Sequence, residues 1–199
     1  MNIYGASGHG KVIIDIIEST GETINHVFDD NKNITSLLGK TVTHALNNEI
    51  LESETIIAIG ANKIRKKVAE IFKGRIADAI IHKSAIISPN SNLGRGTVVM
   101  SNACVNASAK VGKHCIINTA STIDHDCVLG DYVHVSPNSA IAGNVEIAEG
   151  THVGIGAVVI PGIKIGKWVT IGAGAVIIKN IPDYAVVVGN PGKIIKFLK

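Results

Sequence analysis

Every sixth residue from Ile81 to Ile177 is Val, Ile or Leu, seventeen positions in succession with no insertion or deletion. A helical period of about 3.6 residues loses phase with six over such a span, and an amphipathic strand alternates by two. Four residues after each aliphatic position a second series runs, mostly of small side chains: Ala85, Ser91, Thr97, Ala103, Ala109, Cys115 and onward. These suit an inward-pointing position in a tight corner. A third series has period eighteen, with Gly94, Gly112, Gly130 and Gly166 on one track, interrupted by Ala148, and Gly154 and Gly172 on another. Eighteen is three hexads, so one coil has three short sides, and glycine is expected where the backbone turns. Hexapeptide periodicity of this kind is the signature of a parallel β-helix, in which each coil buries its aliphatic edge on the next.

Residues 1–80 show no such repeat. Asn2–Tyr4 reads as a strand, followed by a glycine turn and a helix over residues 11–18. A second strand near His26–Phe28 ends in Asp29-Asp30, and a third over residues 55–59 is closed by Gly60. A helix over residues 63–72 carries Lys63, Arg65, Lys66 and Lys67, and a strand over 76–81 feeds the coil. This order predicts a small Rossmann-like α/β unit over 1–80, with the β-helix over 81–199. After Ile177 the phase is lost at Asn180-Ile181-Pro182-Asp183, and the tail is expected to cap the last coil, since an open end exposes strand edges.

Composition fits this picture. Of 199 residues 46% are hydrophobic, only 4% are aromatic and 21 are glycine, as expected for a core of small and β-branched side chains, and disorder is excluded. A net charge of +3 with no basic run interleaved with aromatics gives no reason to expect nucleic acid. No apolar stretch reaches the roughly 18 residues of a membrane span, and no signal-like segment opens the chain, so the cytoplasm is the expected compartment. Cys104, Cys115 and Cys127 form no C-x-x-C pair, and the latter two occupy small inward positions, where a thiol serves as packing.

Three features carry chemistry. The turn Gly5-Ala6-Ser7-Gly8-His9-Gly10-Lys11 follows a strand and opens a helix, which makes an anion site suited to a diphosphate. It fits G-x-x-x-x-G-K, but Val12 stands where a P-loop needs a magnesium-binding hydroxyl, and G-x-G-x-x-G is absent. The half-domain is too short for a dinucleotide, so a nucleoside diphosphate is the better ligand; a purely structural turn is the alternative. Asp29 and Asp30 end the second strand, where acidic residues meet a ribose or base edge; a solvated turn is their bland reading. With Gly60-Ala61-Asn62 they line one carboxyl edge of a parallel sheet, where ligands bind. His125 sits on the outer wall between Asp124 and Asp126, which raise its basicity and fix its tautomer. His134 and His152, eighteen apart, are expected to stack about 5 Å from each other on one face. Carbonic anhydrases of the γ class hold zinc between histidines on such a prism, but the closely spaced pair they need is missing here, and no metal is expected.

The glycine-His turn, the hexads, Asn118-Thr119, His125-Asp126, His134-Val135-Ser136, Ala142-Gly143-Asn144 and the tail Gly189-Asn190-Pro191-Gly192-Lys193 together resemble one family. The chain is similar to the sugar O/N-acyltransferases of the sialic acid O-acetyltransferase (NeuD) type, and within them to the PglD branch that N-acetylates UDP-4-amino sugars. The resemblance covers essentially the whole chain. It implies a left-handed β-helix and acetyl-CoA as co-substrate. It implies a homotrimer with active sites between subunits, and no metal. It further implies that Ser7, Gly8, His9, Asp29, Asp30 and Gly60 hold the nucleotide-sugar, with His125 as general base and Asp126 enhancing its basicity. His134 would contact the acetyl thioester, Ile155, Gly172 and Ala173 would line the pantetheine groove, and Gly143 would stabilise the oxyanion. Asp126 and Ala173 stand where that branch has Glu and Gly. The acceptor implied is a UDP-linked 4-amino-4,6-dideoxy sugar. A GDP-linked amino sugar of the perosamine type and a sialic acid hydroxyl are alternatives within the fold. A non-catalytic β-helix scaffold is the alternative outside it, disfavoured by the outward His125-Asp126 pair.

Overall fold

The computed structural model describes residues 1–46 and 48–198. Residues 80–177 form seventeen two-residue strands, from Ile80–Ile81 to Val176–Ile177, one for each aliphatic hexad position. Up to Val158–Val159 each strand pairs in parallel with the one eighteen residues on: Ile80 with Val98, Val98 with Ile116, Ile116 with His134. The coils thus stack three sheets, of five, six and eight strands. The second residue of each pair points inward, and from Val99 to Ile177 every one is at most 3% exposed. Ile81, Ile87 and Leu93 are only partly covered because they line the open first coil.

The small series is buried from Thr97 onward, and several of its polar members bind the next coil. Thr97, Ser139 and Thr151 each donate a hydroxyl to the carbonyl fifteen residues ahead, on Gly112, Gly154 and Gly166, at 2.8, 2.8 and 2.7 Å. The Cys115 and Cys127 thiols make the same bond to Gly130 and Ala142, both at 3.1 Å. These cysteines therefore both fill space and donate to a buried carbonyl, which would otherwise be left unpaired at a cost.

The glycines depart from expectation. The left-handed corner falls on every sixth residue from Gly96 to Gly174, with φ between 53° and 72°, and most of its occupants are not glycine: Asn102, Ser108, His114, Ala120, Asp126, Tyr132, Trp168. The glycines singled out by the eighteen-residue period do not make these turns. A Cβ on Gly94 would lie 2.5 Å from the Gly112 carbonyl carbon, and one on Gly112 2.6 Å from that of Gly130. Close approach of coil to coil, not a positive φ, is what demands glycine there.

The N-terminal unit is built on a five-stranded sheet. Its elements are β1 (Asn2–Tyr4), α1 (Gly8–Ser19), β2 (His26–Phe28), β3 (Ser36–Leu37), β4 (Lys40–Thr43), α2 (Asn48–Glu52), β5 (Thr55–Ile57) and α3 (Asn62–Ile71). The sheet order is β3-β4-β2-β1-β5, parallel except for the β3–β4 hairpin. That hairpin and α2 were not anticipated; Leu38 and Gly39, with φ of 47° and 75°, form its two-residue turn. Helix α1 begins three residues earlier than expected because Ser7 is its N-cap, so Gly8, His9 and Gly10 belong to its first turn. The strand expected over 76–81 is reduced to an isolated bridge at Ile76 and the pair Ile80–Ile81.

Helix α1 buries Ile13, Ile14, Ile16 and Ile17 in a cluster that includes Ile80, Val98, Met100 and Ile116 of the β-helix. The outward row of the eight-stranded sheet is therefore apolar under the N-terminal unit. It turns polar at His134, His152 and Thr170, beside the loop after β5 and the start of α3. At the far end the spacing shortens from eighteen to sixteen, Thr170 pairing with Val186, and a hairpin of Ala185–Val188 and Lys193–Phe197 closes the last coil.

Candidate active site

Strands β1, β2 and β5 are in register, Tyr4 opposite both Phe28 and Ile57. The segments that follow them, residues 5–10, 29–30 and 58–61, therefore meet at one edge. Gly5 has φ +119°, and a Cβ on it would lie 2.7 Å from the Ala58 carbonyl oxygen; one on Gly10 would lie 2.5 Å from that of Gly5. Both glycines are required for the turn to sit against the next loop. Gly8 and Gly60 have open space around them, and the Ser7 hydroxyl makes no capping bond, so these three face the edge where the α1 N–H groups converge.

Asp29 shapes this edge. Its Oδ2 accepts from the Ala6 N–H at 2.7 Å and its Oδ1 from the Asn31 N–H at 2.8 Å, while its carbonyl oxygen contacts His44 Nδ1 at 2.9 Å. Asp30 Oδ2 accepts from the Tyr4 hydroxyl at 2.8 Å. His9 is neutral: burial, and secondarily the charge of Arg65, lower its pKa to about 4. Its Nε2 is buried without a partner among the described residues.

His134 faces this edge from the β-helix. The Asn118 carboxamide is oriented by the Thr119 N–H, which donates to its Oδ1 at 2.8 Å, so its Nδ2 meets His134 Nε2 at 3.0 Å. His134 Nε2 is then the acceptor and Nδ1 carries the proton. The ring shares a cavity lining with Gly60, and burial, followed by His152 and Arg65, lowers its pKa to about 3. His152 stacks on it with centroids 4.8 Å apart and takes Ser136 Oγ at 2.8 Å from its Nε2. A cavity of about 640 Å³ opens beside them, lined by Gly60, Asn62, His134, His152, Trp168 and Thr170. Of the lining residues, Trp168 and Thr170 had no role in the sequence reading; Asn62 and Asn118 were named there only as part of short motifs, without a side-chain contact.

His125 stands elsewhere. It lies on the corner between the strand Thr122–Ile123 of the six-stranded sheet and Val128–Leu129 of the five-stranded one, away from the eight-stranded face that carries His134. Its Nδ1 donates to Asp126 Oδ2 at 2.8 Å, and Asp124, itself held by Asn106 Nδ2 at 2.9 Å, accepts the His125 backbone N–H at 2.7 Å. The bond to Asp126, then the charge of Asp124, raises the imidazole pKa. Its ring rests on Gly143, one coil on: a Cβ there would lie 2.6 Å from Cε1 and Nε2. Among the described residues no hydrogen bond takes the Gly143 N–H, while its carbonyl accepts from Gly162.

Ile155, 52% exposed, lies on the corner between the eight- and six-stranded sheets, with Ala173 one coil beyond it and Gly172 beside Ala173. Three groups result: the sheet edge with His134, the corner of Ile155, Gly172 and Ala173, and the corner of His125, Asp126 and Gly143. A single chain brings the first and last to different sides of the prism. Among the described residues no group of three or more His, Cys, Asp or Glu could hold a metal ion, and no helix is long and apolar enough to cross a membrane.

Comparison with known proteins places relatives beside this geometry. Residues 1–72 match the PglD N-terminal domain and residues 144–179 the bacterial transferase hexapeptide (six repeats). A UDP-N-acetylbacillosamine N-acetyltransferase of Bacillus subtilis is 41% identical over 109 residues, 50% of each chain; the match thus spans about half the length of that curated relative. The crystal structure of PerB from Caulobacter crescentus, in complex with CoA and GDP-perosamine, is 37% identical. It superposes with a TM-score of 0.89 over 97% of this chain and 95% of that one. The acetyltransferase domain of PglB from Neisseria gonorrhoeae, in complex with acetyl coenzyme A, is 36% identical with a TM-score of 0.89, over 98% of both chains.

Proposed function

Because this chain belongs to the PglD-like hexapeptide acyltransferases, we propose that it transfers the acetyl group of acetyl-CoA to the 4-amino group of a nucleotide-linked 4-amino-4,6-dideoxy sugar. The observation that carries the reading is the His125–Asp126 pair above Gly143. With Nδ1–H committed to the Asp126 carboxylate at 2.8 Å, Nε2 keeps its lone pair and is free to act as base.

The reaction follows from that arrangement. The amine nitrogen attacks the thioester carbonyl carbon, and His125 Nε2 takes the proton that the nitrogen must lose, a contribution of about 10²–10⁴-fold. The charge that develops on the carbonyl oxygen falls to the Gly143 N–H. The tetrahedral species then expels the CoA sulfur, and the His125 imidazolium returns the proton to it. The products are the amide and free thiol, with no covalent enzyme intermediate. The nucleotide-sugar lies on the edge formed by Ser7, Gly8, His9, Asp30 and Gly60, with Asp29 holding the loop. Pantetheine runs along Ile155, Gly172 and Ala173, with His134 at the acetyl end.

Such a site needs more than one copy. The outward row of the six-stranded sheet is Ile86, Cys104, Thr122, Ala140, Val158 and Val176, without a charge; the five-stranded sheet presents Asn92, Lys110, Val128, Glu146 and Lys164 instead. An uncharged flat face between the Ile155 corner and the His125 corner supports a threefold trimer, in which the His125 corner of one copy meets the Ile155 corner of the next. Three unpaired thiols suit a reducing compartment, and we place the reaction in the cytoplasm.

The leading acceptor is UDP-linked; the extent of the PerB match favours a GDP-linked acceptor as the second reading. A panel of UDP-, GDP- and CMP-linked amino sugars with acetyl-CoA, followed by thiol release, tests both. Turnover with a UDP- or GDP-4-amino sugar is expected; release only with the CMP-linked sugars, or with none, overturns the proposal.

A further inference from the structure

Helix α3 carries Asn62, Arg65 and Lys66 on one face, and that face lies along one corner of the β-helix. Arg65 is 1% exposed, the largest fully buried side chain. All five of its N–H donors are used. Nε donates to the His114 carbonyl at 2.8 Å, Nη1 to the Ile59 and Gly60 carbonyls at 2.9 and 3.0 Å, and Nη2 to Asn62 Oδ1 and the Tyr132 carbonyl at 2.9 and 3.0 Å. Every acceptor is neutral. Two belong to the loop after β5 and two to successive coils, and Asn62 Nδ2 reaches the next coil at the Gly150 carbonyl, 3.1 Å away. Gly60 in turn lines one cavity with His134. The guanidinium thus ties the loop of the N-terminal unit that borders His134 to the coils of the β-helix.

Docking alone does not call for such a residue. A buried charge without a counter-ion is costly, and an apolar side chain of similar volume would seal the same seam. What the guanidinium supplies is a rigid five-donor fork that fixes backbone carbonyls of two units relative to each other. We propose that Arg65 is a positioning residue for acetyl transfer: by holding Ile59 and Gly60 against two coils, it keeps the acceptor-binding loop in register with His134. This rests on the reading of that loop as the acceptor site. The charge of Arg65 also contributes to lowering the pKa of His9, His134 and His152. A neutral His134 is the form that can accept the Asn118 N–H.

Three variants separate register from docking and from charge. Arg65→Lys keeps the charge and loses the fork; Arg65→Met keeps the volume and loses both. Lys66→Met breaks the ion pair with Glu149 on the same face, where Lys66 also lies 5.7 Å from the Tyr132 ring centroid, but touches no carbonyl of the loop. Arg65→Lys is expected to lower kcat by about 10–100-fold, as for a reactant displaced by a fraction of an ångström to 1 Å, and to raise KM for the acceptor. Acetyl-CoA affinity by calorimetry is expected to stay near that of the parent, and Lys66→Met to leave kcat nearly unchanged. Parent-like kcat in Arg65→Lys would mean that charge alone matters and would overturn the proposal, as would equal losses in Arg65→Lys and Lys66→Met. Amide exchange over residues 59–62 gives a readout that needs no substrate. Faster exchange in Arg65→Lys than in Lys66→Met is expected, and unchanged protection overturns the proposal even if the parent acetylates none of the amino sugars offered. If Arg65→Met fails to fold, the Lys variant carries the test.

Discussion

Replacing Gly143 by Ala should separate catalysis from folding. The added Cβ would stand 2.6 Å from His125 Cε1 and Nε2, whereas ordinary contact between heavy atoms is about 3.5–4.0 Å. The imidazole must therefore retreat by about 1 Å. It can do so cheaply, because its side chain is 55% exposed, and Gly143 is absent from the residues with positive φ, so alanine fits the backbone. Stability should change by no more than about 0.5 kcal/mol, which for a chain of this size moves Tm by about 1–2 °C. A general base displaced by about 1 Å, however, should lose about 100-fold in kcat, equivalent to about 2.7 kcal/mol of barrier. The variant keeps the backbone N–H, so the loss would report the position of the base and not the oxyanion donor. Initial rates of thiol release, paired with calorimetric melting, make the comparison. A kcat within about threefold of the parent would refute the placement of His125 over Gly143 in the working enzyme.

Other expectations follow from the same geometry. Asp126→Asn removes the carboxylate that raises the His125 pKa; since the base acts when neutral, activity rises as pH climbs through that raised pKa. The acid limb of kcat/KM should therefore move to lower pH and the plateau should fall; a limb that stays in place would dissociate Asp126 from the base. Asp29→Ala deprives the Ala6 and Asn31 N–H groups of their acceptor. It should weaken acceptor binding by about tenfold or more while sparing acetyl-CoA, and equal losses in titration calorimetry would contradict the division of labour. Gly112→Ala should cost about 1–3 kcal/mol by overpacking against Gly130. Ala120→Gly, at φ 53°, should stabilise or be neutral; urea titration distinguishes the two, and the reverse order would refute the account of the coil corners.

The hexads were legible because inward positions must be aliphatic or small whatever the outer face does, so Val99 and Val153 announce their coils equally well. The left-handed corners were not, since Asn, Ser, His, Ala, Asp, Tyr and Trp all occupy them, and no residue class marks the position. His125 stood out because two acidic neighbours in sequence are neighbours in space. Asn118 did not signal its contact with His134, which lies sixteen residues on and depends on how the coils stack. Arg65 was hidden among Lys63, Lys66 and Lys67 as one more charge of a solvated helix; the one signal was its spacing from Asn62 and Lys66, which puts the three on a common face. The β3–β4 hairpin was missed because Leu38 carries a conformation usually left to Gly or Asn.

A site shared between copies is tested most directly by mixing two impaired variants, with the acceptor held well below its KM so that the weakened acceptor binding of Asp29→Ala lowers the rate. His125→Ala lacks the base, and Asp29→Ala lacks the ordered acceptor loop. Unfolded together and reassembled at equal concentration, they should form mixed trimers in which about a quarter of the sites pair an intact loop with an intact imidazole from a neighbour. Acetyl transfer to the nucleotide-linked amino sugar should reappear at about that fraction of the parent rate. Mixtures no more active than the two variants alone, in particles that light scattering shows to have exchanged subunits, would contradict the account.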